Sequence, residues 1–461
     1  MPADALSRST TALDDDALMS GLVVAAHEWM AAGGLPGLDP ADIVEVRGLR
    51  ATPLGAAVSL RRGFPVVVWL LVSIRLRSGA VDVVQLFVAL GHEVPERVPD
   101  HGVIGPIPGR ADGFVAWSAL ADSTLALTLC RQLAPDLEMT RVVPHVVDRF
   151  GTQLLVDAHW VAQFPHRVED GPHPDVHAAG TLGSDTGPIA PGRGVWRSLG
   201  ADLGMLRPLR VPTSRGTSVV EQSMQVVTRR DGTGMTTRRD VETFEELGRS
   251  VASFHAASAR HFGQRPGTAE DLTDLIACRW AIHGDPGAPE DWFTVEQRLR
   301  HLGTAEDLGS VIRIHGDLDL DATTRERHHW RLHGLGGTSG GAAARWSRPA
   351  TPMWDLSVLL RSLEDTASAR RGRSTQPELA LIIDGWIERC TDALITGYVS
   401  VPDAAALLPE DRSSRDALLT LCEVLGRMVE VSRRRVVIDL RDLAFGDAAT
   451  AGAPRHVAAR Q

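Results

Sequence analysis

The apolar residues of this 461-residue chain change period near Asp240, and that change constrains the fold more than any other feature. Before it they come in short β-branched runs bounded by Gly and Pro; after it they recur at helical intervals. A chain patterned in this way builds a strand-rich part first and a helix-rich part second. In the first part, "FPVVVWLLVSI" at 64–74 reads as a buried strand, being too short to span a bilayer. Strands are expected over 64–78 and 81–90, joined by a turn at Ser78-Gly79, with helices over Leu18 to Met30 and around Leu125 to Leu133. "TQLLVDAHWVAQF" at 152–164 and "TSVVEQSMQVV" at 217–227 read as further strands, and 169–194 and 334–351 as loops rich in Gly, Pro and Ala. In the second part, "TFEELGRSVASFHAAS" opens with Thr243 and Glu246 at capping-box spacing, and Phe244, Leu247, Val251 and Phe254 share a helix face. Helices are also expected over 376–398 and 413–434.

Length alone predicts two or three domains. A net charge of -10 gives no reason to expect nucleic acid or an anionic membrane as partner, and the Arg433-Arg434-Arg435 cluster reads as a solvated helix end. Cys130, Cys278, Cys390 and Cys422 lie far apart without CxxC spacing, so neither a zinc site nor a disulfide framework is expected. The first 19 residues lack a basic region followed by an apolar core, which leads us to expect a cytoplasmic protein. The chain contains no lysine: all 48 basic side chains are arginine. A Walker A loop, a phosphate-binding strand Lys and Schiff-base chemistry all need that amine, so none can operate here in standard form.

The stretch that carries chemistry is "IHGDLDLDATTRERHHWRLHGLGG" at 314–337. His315-Gly316-Asp317 opens like a loop presenting a carboxylate to an acceptor hydroxyl in phosphoryl transfer. With "VAWSALADSTLALTLCRQL", "LLVDAHWVAQFPHRVEDGPHPDVH", "LGRSVASFHAAS" and "TPMWDLSVLLRSLED", in this order and spacing, the chain resembles the maltokinase family. These are relatives of the aminoglycoside phosphotransferases, with an added N-terminal cap, and include glucosamine kinases. The resemblance implies an α+β, bilobal protein-kinase-like fold: an α/β cap over 1–138, a β-rich nucleotide lobe over 139–230 and a helical lobe over 231–461.

The resemblance also implies where the catalytic groups should fall. The nucleotide Lys corresponds to Gln163 and its Glu partner to His177, so the cofactor-binding positions are both substituted. The first magnesium ligand corresponds to Ala322, and the Asp of the following Asp-Phe-Glu to His333. A methyl group and an imidazole are poor substitutes for hard oxygen ligands. Only Asp317, the expected base, and His315 persist, and both can equally be kept to hold the loop together. Asp319 and Asp321 offer a displaced metal site, with Arg167 in place of the Lys. Asp355 reads as a helix cap, "GLGGTSGG" as a loop rather than a phosphate cradle, and His328, His329 and His333 lack an evident fourth zinc ligand.

The expectation is therefore a maltokinase-like pseudokinase that needs no cofactor and acts by binding or regulation, in association with a sugar-metabolism enzyme. An active maltose or glucosamine kinase using ATP and magnesium, and a sensor that binds a small sugar, are the alternatives.

Overall fold

A computed structural model describes residues 16–425 except 37, 55–64, 78, 80, 110–112, 169–170, 184–186, 199, 210–212, 230–237, 273, 276–306, 328, 338–341 and 372–376. Cys278, His328 and the Arg433 cluster lie outside the described residues.

Period-2 alternation in the long apolar strands gives the first sheet two buried faces. Helix α1 (Asp16–Ala31) precedes strands β1 (Ile43–Leu54), β2 (Val66–Leu76), β3 (Val81–Gly91), β4 (Val103–Pro106) and β5 (Val115–Ser118). They pair antiparallel in the order β1-β2-β3-β5-β4. Val68, Leu70, Val72 and Ile74 face Leu18, Leu22 and Met30 of α1. Trp69, Phe87 and Trp117 point the other way, towards α2 (Ser123–Leu133), whose first turn is capped by the Asp122 carboxylate.

The second sheet comprises β6 (Val142–Asp148), β7 (Gly151–Val156), β8 (Trp160–Phe164), β9 (Gly194–Ser198) and β10 (Ala201–Pro208), in the order β6-β7-β8-β10-β9. Helix α3 (Pro174–Leu182) lies between β8 and β9 in sequence. Leu154, Phe164 and Leu203 join the same core as Trp69, Phe87 and Trp117, so the two sheets share one apolar layer. Backbone bonds stitch them further: Gln85 N–H to His166 O (2.8 Å) and Val168 N–H to Val83 O (2.9 Å). The Gln85 side chain donates to Pro165 O (2.7 Å) and Leu203 O (2.9 Å).

The remaining elements are β11 (Thr213–Arg215), α4 (Gly216–Arg229), α5 (Arg238–Phe262), β12 (Gln264–Pro266), β13 (Ser310–Arg313), β14 (Thr323–Glu326), β15 (His329–Leu332), α6 (Ala342–Ser347), β16 (Pro349–Ala350), α7 (Pro352–Arg371), α8 (Pro377–Val399) and the short α9 (Pro402–Ala405), with a few 3-10 turns. Their core gathers Leu247, Val251 and Phe254 of α5 with Leu359 and Leu363 of α7 and Trp386 and Leu394 of α8. This is the α+β bilobal architecture that the resemblance implied.

Five expectations are corrected. Residues 152–164 form two strands, because Asp157 (φ 50°) and Ala158 (φ 56°) turn the chain through the left-handed region. Residues 217–227 form a helix: Val220, Met224 and Val227 are buried at helical spacing, and that face outweighs the β preference of the valines. The segments 169–194 and 334–351 are not plain loops: the first contains α3, with Pro174 in its first turn, and the second contains α6 and β16. Thr243 lies in the second turn of α5 rather than at its cap, its hydroxyl donating back to Arg239 O (2.7 Å).

Candidate functional site

The His315–Asp317 loop is held from beneath by one carboxylate. Asp355 in α7 accepts the amide N–H of His315 (2.6 Å) and of Gly316 (2.8 Å). His255 Nε2 meets the same carboxylate at 3.0 Å, and its Nδ1 meets the Tyr398 hydroxyl at 2.9 Å. All three side chains are fully buried. Since α7 begins at Pro352, Asp355 sits inside the first turn and fixes the loop instead of capping the helix. The His315 ring ties the other end, donating from Nε2 to His333 O (3.0 Å).

The acidic residues beyond Asp317 diverge. Asp319 accepts the Ala322 N–H (3.0 Å) through Oδ1 and pairs with Arg149 through Oδ2. Asp321 accepts the Thr217 hydroxyl of α4 (3.0 Å). Asp317 lies against Gly337, where an added Cβ would come within 2.9 Å of Oδ2. Among the described residues no group of three His, Cys, Asp or Glu side chains could hold a metal ion. Ala322 is buried in the core, and His333 is half-buried between lobes. The side chains present do not fit a magnesium ion in the expected place.

A cation of the chain's own stands beside these carboxylates. Arg149 and Phe150 form the two-residue tip between β6 and β7. Burial works against the Arg149 charge, but Asp319, Asp317 and Asp321 outweigh it and raise its pKa. Burial, with repulsion from Asp317 and Asp321, raises that of Asp319 against the pull of Arg149. Phe150 is wedged into the helical core, its ring edge-on to His333 with centroids 5.2 Å apart. Gly334 (φ +76°) makes room, since a Cβ there would lie 2.2 Å from the Phe150 ring. The second sheet thus reaches the helical part with a cationic and an aromatic side chain.

Three more contacts close the lobes. Asp175 of α3, fully buried, accepts the N–H groups of Gly334 (2.9 Å) and Leu335 (2.9 Å). Burial would raise its pKa, yet His173 and the two amides hold it below the usual range. Arg215 pairs with Asp148 at 2.9 Å. Glu326 sits between Arg207 of β10 (3.5 Å) and Arg331 of β15 (3.1 Å). Burial drives His333 down to about 3, against the pull of Asp175, so its ring is neutral. Between these groups remains a cavity of about 120 Å³, lined by Val161, Arg207, Leu209, Arg215, Glu326 and His333 among others. Ligand pockets commonly measure about 300–1,000 Å³.

The two substituted cofactor positions are not joined. Gln163 lies inside the second sheet opposite Gln153 and Met205, fully buried, and its Oε1 has no hydrogen-bond partner among the described residues. His177 instead meets the rings of Phe262 (5.6 Å) and Trp346 (5.3 Å), with its pKa lowered by burial and by Arg313. Arg167 is not in the cleft: it binds Asp82 of the first sheet at 2.7 Å.

The residues that join the two lobes, Arg149, Phe150, Asp175 and Arg207, are ones that sequence reading passes over. Pro174-Asp175 at a helix start carried a usable signal. Nothing local marks Arg149 as the partner of a carboxylate 170 positions away.

No family model matches the sequence. Among solved structures, the chain is similar to a glucosamine kinase in crystal form A, at 15% identity over 92% of this chain and 98% of that one, with a TM-score of 0.49. A glucosamine kinase in complex with glucosamine, ADP and inorganic phosphate is 14% identical over 94% and 99%, with a TM-score of 0.47. The GDP complex of wild-type aminoglycoside 2'-phosphotransferase-IIIa is 16% identical over 67% and 99%, with a TM-score of 0.33.

Proposed function

We propose that this chain is a pseudokinase: a kinase-like phosphotransferase fold without phosphoryl transfer, acting by binding. The single observation that supports it most is the Arg149 guanidinium beside Asp319, under the field of Asp317 and Asp321. Phosphoryl transfer needs cations on the phosphates and a carboxylate left for the acceptor hydroxyl. Here the acidic groups already neutralise an arginine, Gln163 stands where a phosphate-binding Lys is implied, and Ala322 and His333 carry no oxygen ligand. On this reading residues 1–138 are the cap, 139–230 the former nucleotide lobe and 231–461 the helical lobe. His315 and Asp317 are kept for the shape of the loop. The ligand class in keeping with the resemblance is a small sugar such as maltose or glucosamine.

Calorimetry with ATP and excess magnesium should give no binding heat, and ADP release with maltose or glucosamine should stay at the buffer rate. Phosphorylation of either sugar would reverse the reading in favour of an active kinase with Asp317 as base. Thermal stabilisation by sugar without nucleotide would assign the sensor role.

A further inference from the structure

A second cavity lies outside the cleft and has the dimensions of a site for a small molecule. It measures about 480 Å³, against the roughly 300–1,000 Å³ usual for ligand pockets. Helix α4 and the first turns of α5 form two of its sides, and the paired strands β11 and β14 form a third. Asp317, Gln163 and His333 are not among its described walls. Gln222 and Arg239 at the rim are exposed, so a ligand reaches the cavity without the lobes parting.

A carboxylate and a guanidinium are held in its walls. Asp240 in the first turn of α5 accepts the Ser223 hydroxyl (2.5 Å), and Ser223 Oγ in turn accepts the Trp386 indole N–H (3.0 Å). Ser223 and Trp386 are buried, so this relay fixes the carboxylate from α8. Arg325 of β14 is fixed by Glu246 of α5 (3.1 Å). Val219, Val226 and Phe244 add apolar surface to the same cavity. A carboxylate only accepts and has about four lone-pair sites, more than the Ser223 bond uses, whereas a guanidinium only donates. An alcohol does both, and two neighbouring hydroxyls of a sugar ring match the two-atom edge of either group. A full charge on a ligand gains from one of the pair and loses to the other. Arg239 and Arg327 stand at the exposed rim, where water and salt screen their charges.

We infer that the cavity between α4, α5 and β14 is a binding site for a neutral mono- or disaccharide, held through its hydroxyls by Asp240 and Arg325. This rests on the reading that the chain acts by binding a small sugar, and it places that sugar outside the kinase-like cleft.

Calorimetric titration of the whole chain with maltose and with glucose, without nucleotide or magnesium, tests it. Saturable binding of at least one is expected, weakened about tenfold or more in Asp240→Asn, which keeps the shape but replaces one acceptor oxygen by a donor amide. Should that variant not fold, Val226→Trp fills the cavity from a position 46% exposed and is expected to abolish binding. Absence of saturable binding of both sugars by the unaltered chain overturns the inference, as does unchanged affinity in Val226→Trp. Binding of glucose 6-phosphate in place of the neutral sugars also overturns it, because the rim arginines would then dominate. A parallel titration with magnesium and ATP separates the two readings: binding there defeats the pseudokinase assignment, whereas sugar binding that ignores both variants defeats only this site.

Discussion

At Asp355 a single carboxylate accepts two consecutive backbone N–H groups and faces the His255 ring, with no access to water. Asp355→Ala would strand all of these donors in the core, each costing about 1–3 kcal/mol when unpaired. A loss of at least about 3 kcal/mol is expected in urea unfolding. Asp321→Asn, which alters one bond to the Thr217 hydroxyl in a partly exposed setting, should cost about 1 kcal/mol or less. Equal losses would mean that Asp355 does not hold the loop. The comparison also separates a shape-holding residue from the acidic residues that follow Asp317.

The β6–β7 hairpin is the element that decides the state of the cleft. Its tip contributes Arg149 to Asp319 and Phe150 to the helical core, while its β6 strand ends in Asp148, the partner of Arg215. Removing both tip side chains in Arg149→Ala/Phe150→Ala should loosen the lobes without unfolding the helical core formed by α5, α7 and α8. Hydrogen exchange at the Gly334 and Leu335 amides, now protected by Asp175, is expected to rise at least about tenfold, whereas exchange in the middle of α5 stays unchanged. Unchanged protection at 334–335 would show that the hairpin does not latch the lobes. Gly334→Ala should mimic the double variant, since its Cβ would displace the Phe150 ring.

Across the whole molecule, two neutral histidines, one buried and one half-buried, stand at the two seams. His166 lies where the first sheet meets the second and is pushed down to about 4 by burial and by Arg167; His333 lies between the lobes at about 3. In the unfolded chain both titrate near 6.5. Between those values the unfolded state binds more protons, so stability is full above about pH 6.5 and declines as pH falls towards 4. His166 alone accounts for a loss of order 3 kcal/mol across that window. Thermal unfolding of His166→Gln should show a flatter acid limb than the unaltered chain; an identical limb would remove His166 from the account. Among the described residues no helix is long and apolar enough to cross a membrane.

Features that are periodic or compositional are legible in the residues alone. The alternation in "FPVVVWLLVSI", the helical stripe through Leu247, Val251 and Phe254, the absence of lysine and the methyl group at Ala322 each follow from local residue chemistry. Sequence reading misjudged 217–227, where valines suit either period, and 169–194, where prolines suggest a loop but start α3. What stands between the lobes emerges only once distant segments pack together. Arg149 and Asp319, Asp175 and Gly334, and Arg207 and Glu326 are each separated by more than a hundred positions, and a charge leaves no local mark of the partner that neutralises it. Which carboxylate meets metal and which meets arginine is settled by how two lobes close, and that closure is a property of packed surfaces rather than of any short stretch of chain.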